Sequence, residues 1–287
     1  MTCENNAGGS GFVGRCLAQQ MLQRRADVFV YDCAPPQLPT KAIYTLGDVT
    51  DKGNLVAKMS EFRPTCVIHL ASWGMSGPNM LNPKCSHINI EGARASLEAS
   101  AECSVESFIY LSTYNVVFHG QTIEGGDESM PYSPPHCHTD CYSPSKAEAE
   151  KLVLEANGRR LSGGGKLITC VLRPAAIYGV GEQRHLPRIL KMVDLGLLAR
   201  IGHAVVDWVH VENLVHAILL AHKATTSLKG NVSKAPAGHA YFISDNDPMN
   251  NFDFLRPIVE SRGKQYPPLT GRLFCLSLRE RVAHFFK

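Results

Sequence analysis

Gly8-Gly-Ser-Gly-Phe-Val-Gly14 decides the fold class of this 287-residue chain. A stretch of helical character follows these residues to about residue 25, so their glycine spacing predicts a strand-to-helix turn. Glycines let the backbone turn tightly and approach a pyrophosphate, whose charge then lies at the amide-rich N-terminus of the helix. The residues of this turn that we predict to bind a dinucleotide are Gly8, Gly11, Phe12, Val13 and Gly14.

Asp32 ends the short apolar stretch Asp27-Val-Phe-Val-Tyr-Asp32 and lies eighteen residues after Gly14. A carboxylate at this place accepts hydrogen bonds from both ribose hydroxyls of an adenosine and repels a 2′-phosphate. Asp32 therefore predicts NAD rather than NADP as the cofactor. The alternative interpretation of Asp32 is a solvated acid at the end of a strand.

The segment before the glycines departs from this pattern. A dinucleotide-binding turn normally follows a buried strand of about five or six apolar residues. Residues 2–7, Thr-Cys-Glu-Asn-Asn-Ala, are polar and have low strand propensity. We therefore expect the first strand to be missing or degraded, which would leave the phosphate-binding turn without its anchor.

The rest of the chain alternates strands with helices. Residues 65–71, 107–113 and 167–174 form apolar runs of the kind found in buried parallel strands. This alternation predicts an α/β protein with a Rossmann-like, doubly wound parallel sheet. We expect a dinucleotide-binding domain over residues 1–180. A small substrate-binding region would cover residues 181–287, with 205–222 returning to the first domain.

The composition indicates a small-molecule partner. Lys and Arg number 29 against 26 Asp and Glu, without a basic run, so we expect no nucleic-acid partner. Ten scattered cysteines and an N-terminus without signal-peptide features indicate reduced, intracellular, cytoplasmic thiols. The cluster His136-Cys-His138-Thr-Asp140-Cys141 has no second cluster at a zinc-site spacing, so we predict no metal site. The apolar stretch at residues 273–278 is too short to span a bilayer, and a buried helix is favoured there over a membrane-surface helix.

Tyr142-Ser-Pro-Ser-Lys146 places a phenol and an ammonium on the same side of one helical turn, because residues i and i+4 face each other. A free tyrosine has a pKa of about 10, and a close positive charge favours its phenolate form. Tyr142 beside Lys146 is therefore a candidate base near neutral pH, and the alternative interpretation is an exposed Tyr and Lys on a helix face. Ser112 and Thr113 follow the buried run at residues 107–111, at the carboxyl end of a strand, where ligands of such sheets bind.

An ordered set of motifs resembles the extended short-chain dehydrogenases/reductases, and within them the 3-beta-hydroxysteroid dehydrogenase/isomerase family. These motifs are the glycine turn at 8–14, Asp32, Gly47-Asp-Val49, His69-Leu-Ala-Ser72, Asn89-Ile-Glu-Gly92, Leu111-Ser-Thr113, Tyr142 to Lys146, Leu172-Arg-Pro174, Ile177-Tyr-Gly179 and Trp208-Val-His-Val-Glu-Asn213. The stretches at 74–77 and 181–188 resemble a less-studied vertebrate branch of that family.

The resemblance implies roles for individual residues. Tyr142 would accept the proton of a secondary alcohol and also contact the cofactor, and Lys146 would assist it and bind the nicotinamide ribose. Thr113, with Ser112 beside it, would be the third member of the catalytic triad. Further cofactor-binding residues implied by the resemblance are Asp48, Val49, Ala71, Asn89 and Pro174. The substrate-binding residues would be Trp73, Met75, Tyr114, Tyr178 and His185.

These expectations define an NAD-dependent oxidoreductase that acts on the CH–OH group of a small, apolar, steroid-like molecule. One alternative is a sugar-nucleotide epimerase or reductase of the same fold, which Arg184 and Arg188 would favour. A second alternative is a non-catalytic variant, since we expect the chain to be truncated at its C-terminus as well as degraded in its first strand. The resemblance also implies a homodimer, and association of longer family members with the endoplasmic-reticulum membrane.

Overall fold

A computed structural model describes residues 2–4, 9–36, 41–195 and 205–265 of the chain. Its strands are β1 Thr2–Glu4, β2 Phe29–Asp32, β3 Ile43–Leu46, β4 Cys66–His69, β5 Ser107–Leu111, β6 Ile168–Pro174, β7 Ala176–Tyr178, β8 Val205–Val206, β9 Trp208–His210, β10 His239–Ile243 and β11 Met249–Asn250. Its α-helices are α1 Phe12–Gln23, α2 Lys52–Phe62, α3 Lys84–Ser86, α4 Gly92–Glu102, α5 Tyr142–Glu155, α6 His185–Asp194, α7 Val211–Ser227 and α8 Asn251–Ser261. A π-helical turn, His87–Glu91, joins α3 to α4.

Seven of the described strands form one parallel sheet in the order β10-β6-β5-β4-β1-β2-β3. β1 lies in the middle of this sheet, where Cys3 is in register with Tyr31 of β2 and Thr2 is in register with Ile68 of β4. The sequence predicts a first strand that is missing or degraded: it is present, so the first of these is wrong, and its three residues make it shorter than the roughly five or six expected. Its pairing uses the backbone, so polar residues can occupy it when both neighbouring strands are in place.

Alternate residues of the strands supply the two faces of the sheet. Tyr31 and Tyr110 belong to one buried cluster, together with side chains of α2, α4 and α5. Val30 and Ile109 belong to a second buried cluster, together with side chains of α1 and α7. Side chains of successive strand residues point to opposite faces, which is why neighbours in sequence separate in this way. The sheet is doubly wound, and its parallel strands bring their carboxyl ends to one edge.

The helix α5 begins at Tyr142 because the chain before it supplies a cap. The carboxylate of Asp140 accepts hydrogen bonds from the backbone N–H of Ser143 at 2.7 Å and from the hydroxyl of Ser143 at 3.2 Å. Pro144 lies in the first turn, where a missing N–H is tolerated. Asp140 thus fixes where the helix starts, and so where Tyr142 lies.

The chain divides into two compact units. Unit 1 contains Met1–Gly179 and Val209–Ser244, and so it holds the seven-stranded sheet. Unit 2 contains Val180–Trp208 and Asp245–Lys287. Within unit 2, β8 pairs with β11, and the rings of Trp208 and Phe254 stack with their centroids 3.8 Å apart.

No helix in the described part of the chain is long and apolar enough to cross a membrane. The apolar stretch at residues 273–278 lies outside the described residues, and so does Gly8.

Candidate active site

Asp32 ends β2 with its carboxylate buried against the glycine turn, since the residue is only 1% exposed. The carboxylate accepts hydrogen bonds from the backbone N–H of Ser10 at 2.9 Å and from that of Ala34 at 3.0 Å. Burial raises the pKa of the Asp32 carboxyl group, and these backbone donors oppose the rise. Asp32 thus holds the turn in place through backbone hydrogen bonds on both sides of it.

The helix α1 starts at the end of the glycine turn, and no acidic side chain in its first turn offsets the positive end of the helix dipole. Gly11 is the N-cap and makes no side-chain cap, and the first turn carries no acidic residue. Val13 and Gly14 are buried, and Phe12 packs against the cluster that contains Val30. A helix N-terminus of this kind favours an anion such as a phosphate group.

A tyrosine supports the loop after β3. The hydroxyl of Tyr31 donates to the backbone oxygen of Asp48 at 3.1 Å or to Oδ1 of Asn54 at 2.8 Å. A Cβ atom on Gly47 would lie only 2.1 Å from this hydroxyl oxygen, so glycine is required there. Val49 is buried, while Asp48 is exposed and accepts from the backbone N–H of Thr50 at 2.9 Å. Tyr31 could not be singled out from the sequence, because it resembles any apolar strand residue.

Lys146 is 1% exposed, which is rare for a lysine. Its ammonium group donates a 2.7 Å hydrogen bond to the backbone oxygen of Leu111 at the end of β5. The same nitrogen lies 4.1 Å from the ring centroid of Tyr110, a favourable cation–π distance. The charge of Lys146 is therefore held at the carboxyl end of the strand that leads into Thr113.

Two hydroxyl residues follow β5 and have different partners. The hydroxyl of Ser112 donates to the carboxylate of Glu150 at 2.5 Å. Thr113 caps a short 3-10 helix, Tyr114–Val116, by accepting from the backbone N–H of Asn115 at 3.3 Å. Tyr142, at the start of α5, is 5% exposed.

The segment after β4 is tied to α5 by Asn89 of the π-helical turn. Oδ1 of Asn89 accepts from the backbone N–H of Trp73 at 2.7 Å, and Nδ2 donates to the backbone oxygen of Trp73 at 3.1 Å. Nδ2 also lies 2.8 Å from the hydroxyl of Ser145 and 3.2 Å from the thiol of Cys85. Ala71, two residues before Trp73, is buried. The amide of Asn89 is thus engaged within the protein.

The other residues predicted for the substrate side lie on several different elements. Met75 follows Gly74, whose positive φ of 85° and close approach to Cys85 both favour glycine. Tyr114 starts the short helix after Thr113, and Tyr178 ends β7 with its ring edge against His210, 5.1 Å away. Pro174 ends β6, in register with Ile243. His185 begins α6 in unit 2, where the Glu182 carboxylate caps the helix.

A buried carboxylate, Glu150, was missed by the sequence analysis. It lies on α5 one turn after Lys146 and is 0% exposed. Its carboxylate accepts from Nε and Nη2 of Arg173 at 2.9 and 2.6 Å, and from the hydroxyl of Tyr132 at 2.9 Å. The available signal was an arginine inside an otherwise apolar strand, which requires a buried anionic partner.

Among the residues that the structure describes, no group of three or more His, Cys, Asp or Glu side chains could hold a metal ion. The chemistry-bearing side chains of unit 1 instead gather at the carboxyl ends of β2, β4 and β5. A parallel sheet with a glycine turn, a strand-end aspartate and a helical Tyr-x-x-x-Lys pair defines a Rossmann-fold protein of the extended short-chain dehydrogenase/reductase type.

Comparison with known proteins gives the family. Residues 7–272 match the model of the 3-beta hydroxysteroid dehydrogenase/isomerase family. The chain is 42% identical to Short-chain dehydrogenase/reductase family 42E member 1 of Macaca fascicularis, over 97% of this chain and 72% of that protein. Its identity to the protein of that name from Danio rerio is 45%, over 97% and 73% of the two chains. A 3-beta-hydroxysteroid dehydrogenase of Mycolicibacterium neoaurum is 33% identical over 93% of this chain and 72% of its own length. The chain therefore belongs to the 3-beta hydroxysteroid dehydrogenase/isomerase family, and it is homologous to oxidoreductases of that family.

Solved structures show the same fold. A UDP-glucose 4-epimerase of Thermus thermophilus, solved with NAD, superposes with a TM-score of 0.71 at 24% identity, covering 99% of this chain and 93% of the epimerase. A dTDP-glucose 4,6-dehydratase of Bacillus anthracis, also solved with NAD, gives a TM-score of 0.69 at 21% identity, covering 92% and 82% of the two chains. These likenesses confirm the α/β class with a parallel sheet.

Proposed function

We propose that this protein is an NAD-dependent oxidoreductase that acts on the CH–OH group of a steroid or sterol-like molecule. The observation that carries the proposal is the buried ammonium of Lys146, held 2.7 Å from the backbone oxygen of Leu111 at the end of β5. Burying an ammonium is costly, so a buried lysine indicates a functional role. Lys146 lies one helical turn after Tyr142 and beside the strand that leads to Thr113, where its charge would assist both residues.

The residues fit a dinucleotide. Gly8, Gly11, Phe12, Val13 and Gly14 would hold the pyrophosphate at the start of α1, where no acidic side chain competes. The Asp32 carboxylate would accept from the adenosine ribose hydroxyls, which favours NAD over NADP. Asp48 and Val49 would flank the adenine, and Ala71, Asn89 and Pro174 would surround the rest of the cofactor. Asn89 would contribute through its backbone, because its side-chain amide is engaged by Trp73 and Ser145.

In this proposal the protein's own residues transfer a proton and orient the substrate oxygen. NAD+, when bound, supplies the acceptor for the hydride of the carbinol carbon. Tyr142 would accept the alcohol proton at its phenolic oxygen, and Lys146 would stabilise the phenolate by its charge. The hydroxyl of Thr113 would orient the substrate oxygen. Of the two neighbouring hydroxyls we assign this role to Thr113, because Ser112 donates to Glu150.

The steroid-like substrate is supported by the relatives. The Mycolicibacterium neoaurum relative is named a 3-beta-hydroxysteroid dehydrogenase, and it is 33% identical to this chain. In unit 1, Trp73, Met75, Tyr114 and Tyr178 would line the substrate side, and these four side chains offer aromatic or thioether surface to an apolar ring system. The sugar-nucleotide alternative rests on Arg184 and Arg188, because the structures at or below 24% identity show likeness of fold alone.

The test has two steps. The purified protein is titrated calorimetrically with NAD+, and then assayed for NADH formation with a panel of 3-beta-hydroxysteroids. We expect saturable binding that is lost in Asp32→Ala. Tyr142→Phe should keep saturable NAD+ binding, because the residues proposed for the pyrophosphate and the ribose are unchanged, and it should lose at least about 100-fold in kcat, because the proton acceptor is removed.

Absence of NAD+ binding by the folded wild-type protein would overturn the proposal. Turnover of nucleotide sugars with no turnover of any steroid alcohol would instead replace the substrate class. Undiminished turnover by Tyr142→Phe would remove Tyr142 from the mechanism.

A further inference from the structure

The Glu150 carboxylate joins three elements of unit 1 at one point. One oxygen accepts from the Ser112 hydroxyl at 2.5 Å, and the other accepts from Nη2 of Arg173 at 2.6 Å and from the Tyr132 hydroxyl at 2.9 Å. Ser112 directly follows β5, Arg173 lies near the end of β6, and Glu150 lies on α5. The carboxylate therefore connects two strand ends to one helix.

Each of these connections lies beside a residue of the proposed active site. Ser112 precedes Thr113, and Arg173 precedes Pro174. Glu150 lies one turn after Lys146 and two turns after Tyr142 on α5. The backbone adds a further link, because the N–H of Ser112 donates to the oxygen of Leu172 at 2.7 Å. Moving Glu150 would therefore change the spacing between Thr113 and the Tyr142–Lys146 pair.

The surroundings of the Glu150 carboxylate restrict its movement. Glu150 is 0% exposed and Arg173 is 3% exposed, so both charges are out of water and each depends on the other. The guanidinium of Arg173 also lies over the rings of Tyr132 and Phe242, at 5.5 and 5.2 Å from their centroids. Charge-assisted hydrogen bonds in such a setting are strong and directional.

We infer that Glu150 is a positioning residue of this enzyme: through Ser112 and Arg173 it sets the placement of Thr113 and Pro174 relative to Tyr142 and Lys146. The inference rests on the proposed function for its consequence in turnover. Glu150 itself contacts neither substrate nor cofactor in this assignment. It acts through the strand ends, and misplacement of about 1 Å in such a site can cost on the order of 100-fold in rate.

Ser112→Ala is the main test, because it removes the hydrogen bond from Ser112 to Glu150 and leaves the Glu150–Arg173 pair in place. Its matched control is Ser107→Ala at the other end of the same strand. Ser107 is also buried, and its hydroxyl donates a hydrogen bond to the hydroxyl of Thr225 at 2.7 Å. The two variants should lose similar thermal stability. Glu150→Gln provides a stronger change, if its folded yield permits kinetics.

The readouts are kcat, the KM for NAD+ and the thermal midpoint. We expect Ser112→Ala to lower kcat at least about tenfold, with the KM for NAD+ within about twofold of wild type. Ser107→Ala should keep the wild-type kcat at a similar thermal midpoint. Equal kcat values in the two variants would overturn the inference, whatever their stabilities.

A second readout separates this inference from the proposed function. Should the wild-type protein turn over no steroid alcohol, hydrogen exchange at residues 114–118 decides the matter. The Asn115 amide there bonds to the Thr113 hydroxyl, and the Phe118 amide bonds to the Asn115 oxygen at 3.1 Å. Faster exchange in Ser112→Ala than in Ser107→Ala supports the positioning role, and equal exchange contradicts it.

Discussion

Asp32 and Lys146 show which single residues the sequence could identify. Both were singled out by their spacing from other residues, and both are buried at carboxyl ends of strands. Glu150 and Tyr31 could not be identified in this way, because their importance arises from partners more than fifteen residues away. His69 is a fully buried histidine at the end of β4. Its Nδ1 lies 3.2 Å from the hydroxyl of Ser96, but its Nε2 is buried with no hydrogen-bond partner among the described residues.

His69 should make the protein sensitive to acid. Burial, and secondarily the charge of Lys146, lower its pKa from 6.5 to about 3. Between these values the unfolded state binds a proton that the folded state does not, so stability falls as the pH falls below 6.5. We expect His69→Phe to reduce the slope of unfolding free energy against pH between pH 6 and pH 4 by about 1.4 kcal/mol per unit. Urea unfolding at several pH values measures this slope.

Ser96→Ala is the control for this prediction. It removes the same hydrogen bond from the core and keeps the histidine, so the wild-type slope should remain. A His69→Phe slope that equals the wild-type slope would show that the residue titrates normally in the folded protein.

Among the elements, the buried strands were predictable and the first strand was not. Residues 65–71 and 167–174 were recognised from their apolar runs, and the structure places β4 and β6 there. The strand β1 was not recognised, because its place depends on pairing with β2 and β4 and not on its own residue types. The π-helical turn at His87–Glu91 also left no signal in the sequence pattern, although it orients Asn89.

The turn after β3 provides a test at this scale. Gly47→Ala would place a Cβ atom 2.1 Å from the Tyr31 hydroxyl oxygen, which must then leave Asp48 and Asn54. We expect a loss of about 1–3 kcal/mol in the free energy of unfolding. Gly53→Ala, six residues later in α2, meets only a side-chain oxygen at 3.5 Å and should stabilise by up to about 1 kcal/mol. Urea unfolding of both variants measures the opposite signs, and a neutral Gly47→Ala would contradict the packing argument.

For the molecule as a whole, the order of the sheet makes β1 the strand that joins its two halves. β2 and β3 lie on one side of β1, and β4, β5, β6 and β10 lie on the other. The sequence predicted this doubly wound plan from its alternation of strands and helices. The sequence could not predict the register in which β1 pairs with β2 and β4 at the centre of the sheet.

A proline in β1 should therefore cost more than a proline in an edge strand. Cys3→Pro removes a backbone donor from the centre of the sheet, and we expect loss of cooperative unfolding or of soluble protein. Leu46→Pro in the edge strand β3 is the control. The amides of Ile43 and Gly47 donate to the backbone oxygens of Val28 and Asp32, so the alternate amide at Leu46 faces away from β2. Similar thermal unfolding of both variants would show that the sheet does not depend on β1.

The chain has two tryptophans, and each unit contains one of them. The backbone of Trp73 is hydrogen-bonded to Asn89 beside the proposed active site, while Trp208 stacks on Phe254 in unit 2. Replacement of Trp208 by phenylalanine would leave a single intrinsic fluorophore in the loop after β4. Since the reduced nicotinamide absorbs light at the wavelengths that tryptophan emits, its arrival would quench that emission by energy transfer. The architecture thus supplies a label-free optical probe of cofactor occupancy.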